Sequence, residues 1–180
     1  MKAWHWILVL CCLQLSGCLV TFREPLPASQ AAPAGLLGHW VSKDDWGEHL
    51  KLRISQAGAR QYRAVSYAKG QQQAHDQTAF TVSRHGSRWY ASAAVPKAYG
   101  GGYAIVGFEL IDQNALVVYN LDVERVEQAL QDKSLVGKIY RGSGIEGVMI
   151  TSSLDQVFAY LDDPANSDVF VEVARYQRVK

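Results

Sequence analysis

The side chains able to do chemistry are few, and their spacing removes most of what they could do. Past the N-terminal segment the histidines are His39, His49, His75 and His85. No two stand four apart and none lies in an H-E-x-x-H run, so a helical zinc site has no framework. Asp44, Asp45, Glu48 and His49 crowd around Trp46-Gly47. Aspartate and glycine favour turns on their own account, so this cluster reads as a solvated hairpin turn and no metal is expected. Gly142-Ser143-Gly144 has Arg141 and Ile145 where a G-x-S-x-G nucleophile elbow needs glycines. Asp162-Asp163 closes a helical stretch, and nothing else supports a glycosidase pair. Gly100-Gly101-Gly102 leads into a strand, and Gly137-Lys138 lacks a following Ser or Thr, so neither offers a helix N-terminus to a phosphate. No catalytic residue and no cofactor is expected. What remains is a thiol, Cys18, preceded by two small residues.

Cys18 ends a short apolar segment. Lys2 supplies a positive start, Trp4 to Leu13 the apolar run, and Ser16 and Gly17 the small residues a peptidase requires. The run Leu15-Ser16-Gly17-Cys18 resembles the lipobox of bacterial lipoprotein signals. That resemblance implies a diacylglyceryl group on the Cys18 thiol, cleavage before it, and anchorage of the mature chain to a membrane. Cys11 and Cys12 lack two small residues before them and would leave with the signal, so no disulfide within the chain is expected. The resemblance also implies an inner-leaflet position on the outer membrane, facing the periplasm, because Leu19 and not Asp follows the cysteine. Two rivals are a plain secreted form and an uncleaved membrane helix over Ala3 to Val20. At about 18 residues, interrupted by His5, Gln14, Ser16 and Gly17, the helix lies at the lower limit for spanning.

Loss of Met1 to Gly17 removes Lys2 and no acid, leaving 17 basic against 17 acidic residues. A chain without net charge has no field to collect nucleic acid. The stretch from Leu19 to Gly35 holds Pro25-Leu26-Pro27 and a run of Ala, Ser, Gln and Pro, and reads as a flexible tether with a reach on the order of 50 Å. The expected organisation is therefore a signal peptide over 1–17, a lipidated cysteine and tether over 18–35, and one globular domain over 36–180.

Within that domain the apolar residues alternate. Leu50, Leu52 and Ile54 face one way while Lys51, Arg53 and Ser55 face the other. Tyr62 to Ala68, Thr78 to Ser83, Arg88 to Val95, Tyr103 to Ile111 and Ala115 to Leu121 read as further strands, with separators short enough for antiparallel neighbours. Asp122 caps a helix carrying Val123, Val126 and Leu130. A strand over Gly147 to Thr151 follows. Ser153 and Gln156 form a capping box before a second helix that Asp163-Pro164 stops. Val169, Val171 and Val173 then share one side of a final strand. The expected class is α+β: an antiparallel meander, as a sheet or partly closed barrel, followed by helix, strand, helix and strand.

Gly38-His39-Trp40, at the start of the first of these strands, resembles the G-x-W signature of lipocalin-type barrels. In that family the tryptophan closes the barrel base and the barrel carries lipids and small hydrophobic molecules, although the helical tail departs from the pattern. The simpler reading makes Trp40 a core aromatic. Trp46 in a turn, with Tyr99 and Tyr103 around the triple glycine, are candidate contacts for a protein partner. The leading expectation is a non-enzymatic, membrane-anchored lipoprotein that binds a periplasmic protein as inhibitor, immunity factor or assembly accessory. A carrier of a small hydrophobic ligand is the alternative, and a hydrolase without a recognisable motif the third.

Overall fold

The computed structural model describes residues 18–43, 49–67, 76–142 and 145–179. Its strands run β1 (Cys18–Phe22), β2 (Gly38–Lys43), β3 (His49–Gln56), β4 (Gln61–Tyr67), β5 (Asp76–His85), β6 (Arg88–Ala94), β7 (Tyr103–Ile111) and β8 (Ala115–Leu121). Helix α1 (Val123–Gln131), strands β9 (Gly137–Gly142) and β10 (Ile145–Ile150), helix α2 (Leu154–Asp162) and strand β11 (Phe170–Arg178) follow.

Strands β2 to β8 pair consecutively and antiparallel. β11 then joins β8 to β2, also antiparallel, which closes an eight-stranded barrel. The closing seam is short, with β11 and β2 paired at Gln177 with Val41 and Arg178 with Trp40. The protein is therefore mostly β, and the sheet or partly closed barrel expected from the sequence is a complete ring. The tail is also richer than expected, because β9 forms a hairpin with β10 between the two helices.

The second layer covers one side of the ring. β1 runs parallel to β10 and touches the barrel where Phe22 pairs with Tyr103. Val20, Phe22, Val126, Val148, Ile150 and Phe158 pack there against Tyr90 and Ile105 of the barrel wall. Both helices start as their sequences direct. Asp122 accepts the Arg125 N–H, and Ser153 and Gln156 complete a reciprocal capping box.

Two expectations fail here. The tether over 18–35 is built into the fold, since β1 starts at Cys18 and Leu26 is 2% exposed. The Leu26 N–H donates to Ser92 Oγ at 3.3 Å, and the Ala32 N–H donates to Tyr62 Oη at 2.8 Å. The prolines that suggested a free linker suit a strap laid on a wall, because they bring no N–H that would need a partner. The three valines of the last strand do not share a face either. A register shift between Glu172 and Ala174 leaves Val173 in a bulge, which reverses the alternation beyond it. Val169 precedes the strand, in the 3-10 segment Pro164–Val169, and is buried in the outer layer, while Val171 is 43% exposed.

Candidate functional site: the open half of the barrel

The barrel's two halves are built from different residue sizes. Alternation along each strand sends every second side chain inward. Toward the end formed by Gly38, Gln56, Gln61 and Arg178 the inward positions hold Trp40, Ile54, Tyr62, Val82, Phe108, Leu116 and Tyr176, all buried in one cluster. This is the base, and side chains fill it.

Trp40 is its stopper. It is 0% exposed, and its indole N–H donates to Leu36 O at 3.0 Å, which fixes the 3-10 turn Ala34–Leu36 beneath the ring. Arg178, on β11, lays its guanidinium 4.3 Å from the Trp40 ring centroid. The same group donates to Leu37 O at 3.0 Å, to Gln113 O at 2.7 Å and to Gly35 O. Gly38 must be glycine for this to fit. Its φ is +133°, and a Cβ placed there would meet Arg178 Nη1 at 2.7 Å. The spacing of Gly38 and Trp40 thus has a local cause in the seal they make with Arg178.

Toward the other end the inward positions include several small residues. β4 contributes Ala64 and Ser66, β6 contributes Ala91 and Ala93, β7 contributes Ala104 and β11 contributes Ala174. Ala91 faces Val106 and Ala93 faces Ala104 across the β6 and β7 pairing. Leu52, Thr78, Phe80, Val118 and Asn120 complete the surround, and every one of these residues keeps part of its surface accessible to solvent. The polar members of this inward set are Ser42, Ser66, Asp76, Thr78 and Asn120, and Asn120 Oδ1 accepts the Leu121 N–H. The arrangement is a ring with a sealed base and, toward its other end, inward residues that stay partly accessible.

The residues singled out from the sequence lie elsewhere or beyond description. Cys18 is the first residue of β1, with Glu146 as its backbone partner. Trp46, Asp44, Asp45 and Glu48 fall outside the described residues, as do His75, Ser143 and Gly144. Tyr99 ends a 3-10 turn and Tyr103 begins β7; both are partly buried, and Tyr103 faces outward beside Phe22 of β1. Among the described residues no three His, Cys, Asp or Glu gather as metal ligands.

One polar pair had no sequence signal. His85 Nε2 lies 2.9 Å from Asp162 Oδ2, and the imidazole stacks on Phe158 with centroids 4.0 Å apart. Both side chains are more than two-fifths exposed, and no hydroxyl or thiol is bonded to the imidazole among the described residues. The pair clips the β5–β6 turn to α2. Nearby, burial pushes the Tyr90 hydroxyl above its ordinary value, against the opposing pull of Arg88. The Arg88 guanidinium lies 3.8 Å from the Phe170 ring centroid and ties β6 to β11.

No protein-family model matches the chain, and no curated protein or solved structure does either.

Proposed function

We propose that this protein is a lipid-anchored carrier of the bacterial envelope, holding a small apolar ligand in the open half of its barrel. One observation carries the proposal: inward residues that stay partly exposed, five of them alanine, stand above a base sealed by Trp40 and Arg178. A slender apolar molecule such as an acyl chain would leave water there at a gain of about 25 cal/mol per Å² of buried surface. The anchor reading rests on Leu15-Ser16-Gly17-Cys18. Because β1 begins at Cys18, a lipid on that residue would hold the barrel at the headgroups without a spacer, close to the phase into which apolar ligands partition. Among the described residues no helix is long and apolar enough to cross a membrane.

Native mass spectrometry of the protein extracted from envelopes tests the carrier. A stoichiometric small apolar molecule is expected, released on unfolding. A bare chain that also fails to take up a fluorescent fatty acid would refute it. The anchor has its own test: Cys18→Ser should abolish labelling by radioactive palmitate, and persistent labelling would contradict it.

A further inference from the structure

One inward row of the barrel changes character along its length. Antiparallel pairing sets Trp40 opposite Leu52, Leu52 opposite Ser66 and Ser66 opposite Asp76, so all four side chains share the inner face. The tilt of barrel strands carries this row from Trp40 in the sealed base to Ser66 and Asp76 where β4 and β5 reach the other end. Thr78, further along β5, faces the same way opposite Ala64.

The hydrogen bonding of this polar group is incomplete. The Ser66 hydroxyl is shielded from solvent and has no hydrogen-bond partner. Buried hydroxyls in folded proteins are mostly bonded, because an unmade bond forfeits the water given up on burial. Asp76 accepts the Gln77 N–H and meets no cation among the described residues. Lys51, Arg53 and Arg63 supply none, since they alternate outward from Leu52, Ile54 and Ala64.

A carboxylate beside two hydroxyls is a set of acceptors suited to a donor of positive charge. Ser66 and Asp76 stand directly opposite each other, which sets their Cβ atoms about 5 Å apart, and Thr78 is the diagonal neighbour of Ser66 at about 7–8 Å. An ammonium group carries three N–H donors and one positive charge, so it can bond the carboxylate and both hydroxyls together. A carboxylate head would bring like charge to Asp76 and no donor to the hydroxyls.

We infer that Ser66, Thr78 and Asp76 form a head-group subsite that selects a cationic amphiphile, an alkyl chain ending in an amine, as the ligand of the barrel. The inference rests on the carrier reading and narrows it: the chain lies among Ala64, Ala91, Ala93 and Ala104, and the amine between β4 and β5. A fatty acid still enters by its chain, with weaker affinity.

Displacement of the neutral fluorescent probe N-phenylnaphthylamine by decylamine, decanol and decanoate at neutral pH tests it. Decylamine should compete at least about tenfold better than decanoate, with decanol between them. Asp76→Asn keeps the size of the side chain and should cut that preference to about threefold or less. Ser66→Ala should weaken decylamine and decanol and leave decanoate unchanged, with urea unfolding midpoints showing that both variants are folded. Equal competition by the three chains, a preference for decanoate, an amine preference that survives Asp76→Asn, or an equal loss of all three chains in Ser66→Ala would each overturn the inference and leave the carrier standing. Failure of the probe and of every chain to bind would remove the carrier reading and this inference with it.

Discussion

At the scale of single residues, the base of the barrel depends on three side chains that act as one unit. Arg178 satisfies three backbone carbonyls and covers the Trp40 ring, so Arg178→Ala should cost about 2 kcal/mol or more, since bonds from a charged donor are worth more than neutral ones. Gly38→Ala should destabilise by about 1–3 kcal/mol through its positive φ, with a further loss where its Cβ displaces the guanidinium. Urea unfolding midpoints check both variants. The signature in Gly38-His39-Trp40 was readable from the sequence, but its partner was not, because Arg178 comes from the far end of the chain. Tyr90 makes a pH prediction. A hydroxyl held above its ordinary value stabilises the fold below the unfolded tyrosine value of 10.0, and that contribution is lost as pH rises through the raised value. Stability should therefore fall in alkali, and Tyr90→Phe should make the fall shallower in urea midpoints taken above about pH 9.

At the scale of elements, what was legible had local causes. The alternation of Leu50, Leu52 and Ile54, the Asp122 cap and the Ser153 box each depend on neighbours in sequence, and each element formed where expected. Ser153→Ala should cost about 1 kcal/mol in chemical denaturation, because it leaves the Gln156 N–H without its cap. What was not legible depends on distant partners. β1 is five residues long and exists because β10 runs beside it, so its sequence looked like the start of a tether. β9, bracketed by Gly137 and Gly142, has too few apolar residues to announce a strand by itself. The bulge at Val173 broke a clean valine alternation, and only the ladder to β8 reveals it.

At the scale of the molecule, the candidate site is a property of the ring. Ala64, Ala91, Ala93, Ala104 and Ala174 carry no chemical signal one by one, and only the register of eight closed strands gathers them into a lumen. Reactive groups and contact aromatics carry a signal in sequence, whereas the candidate site is marked by inward alanines that stay partly accessible. Ala91 tests that claim from both sides, because it points inward from β6 beside Val106. The decisive measurement is titration of the wild-type protein and of Ala91→Phe with a fluorescent fatty acid, alongside their urea unfolding curves. The hollow barrel predicts saturable one-to-one binding by the wild type, at least a tenfold loss of affinity in the variant, worth about 1.4 kcal/mol, and little change in its stability. A lumen already filled by side chains predicts no binding by either protein and an overpacking cost of about 1–3 kcal/mol in Ala91→Phe, and that result would contradict the account.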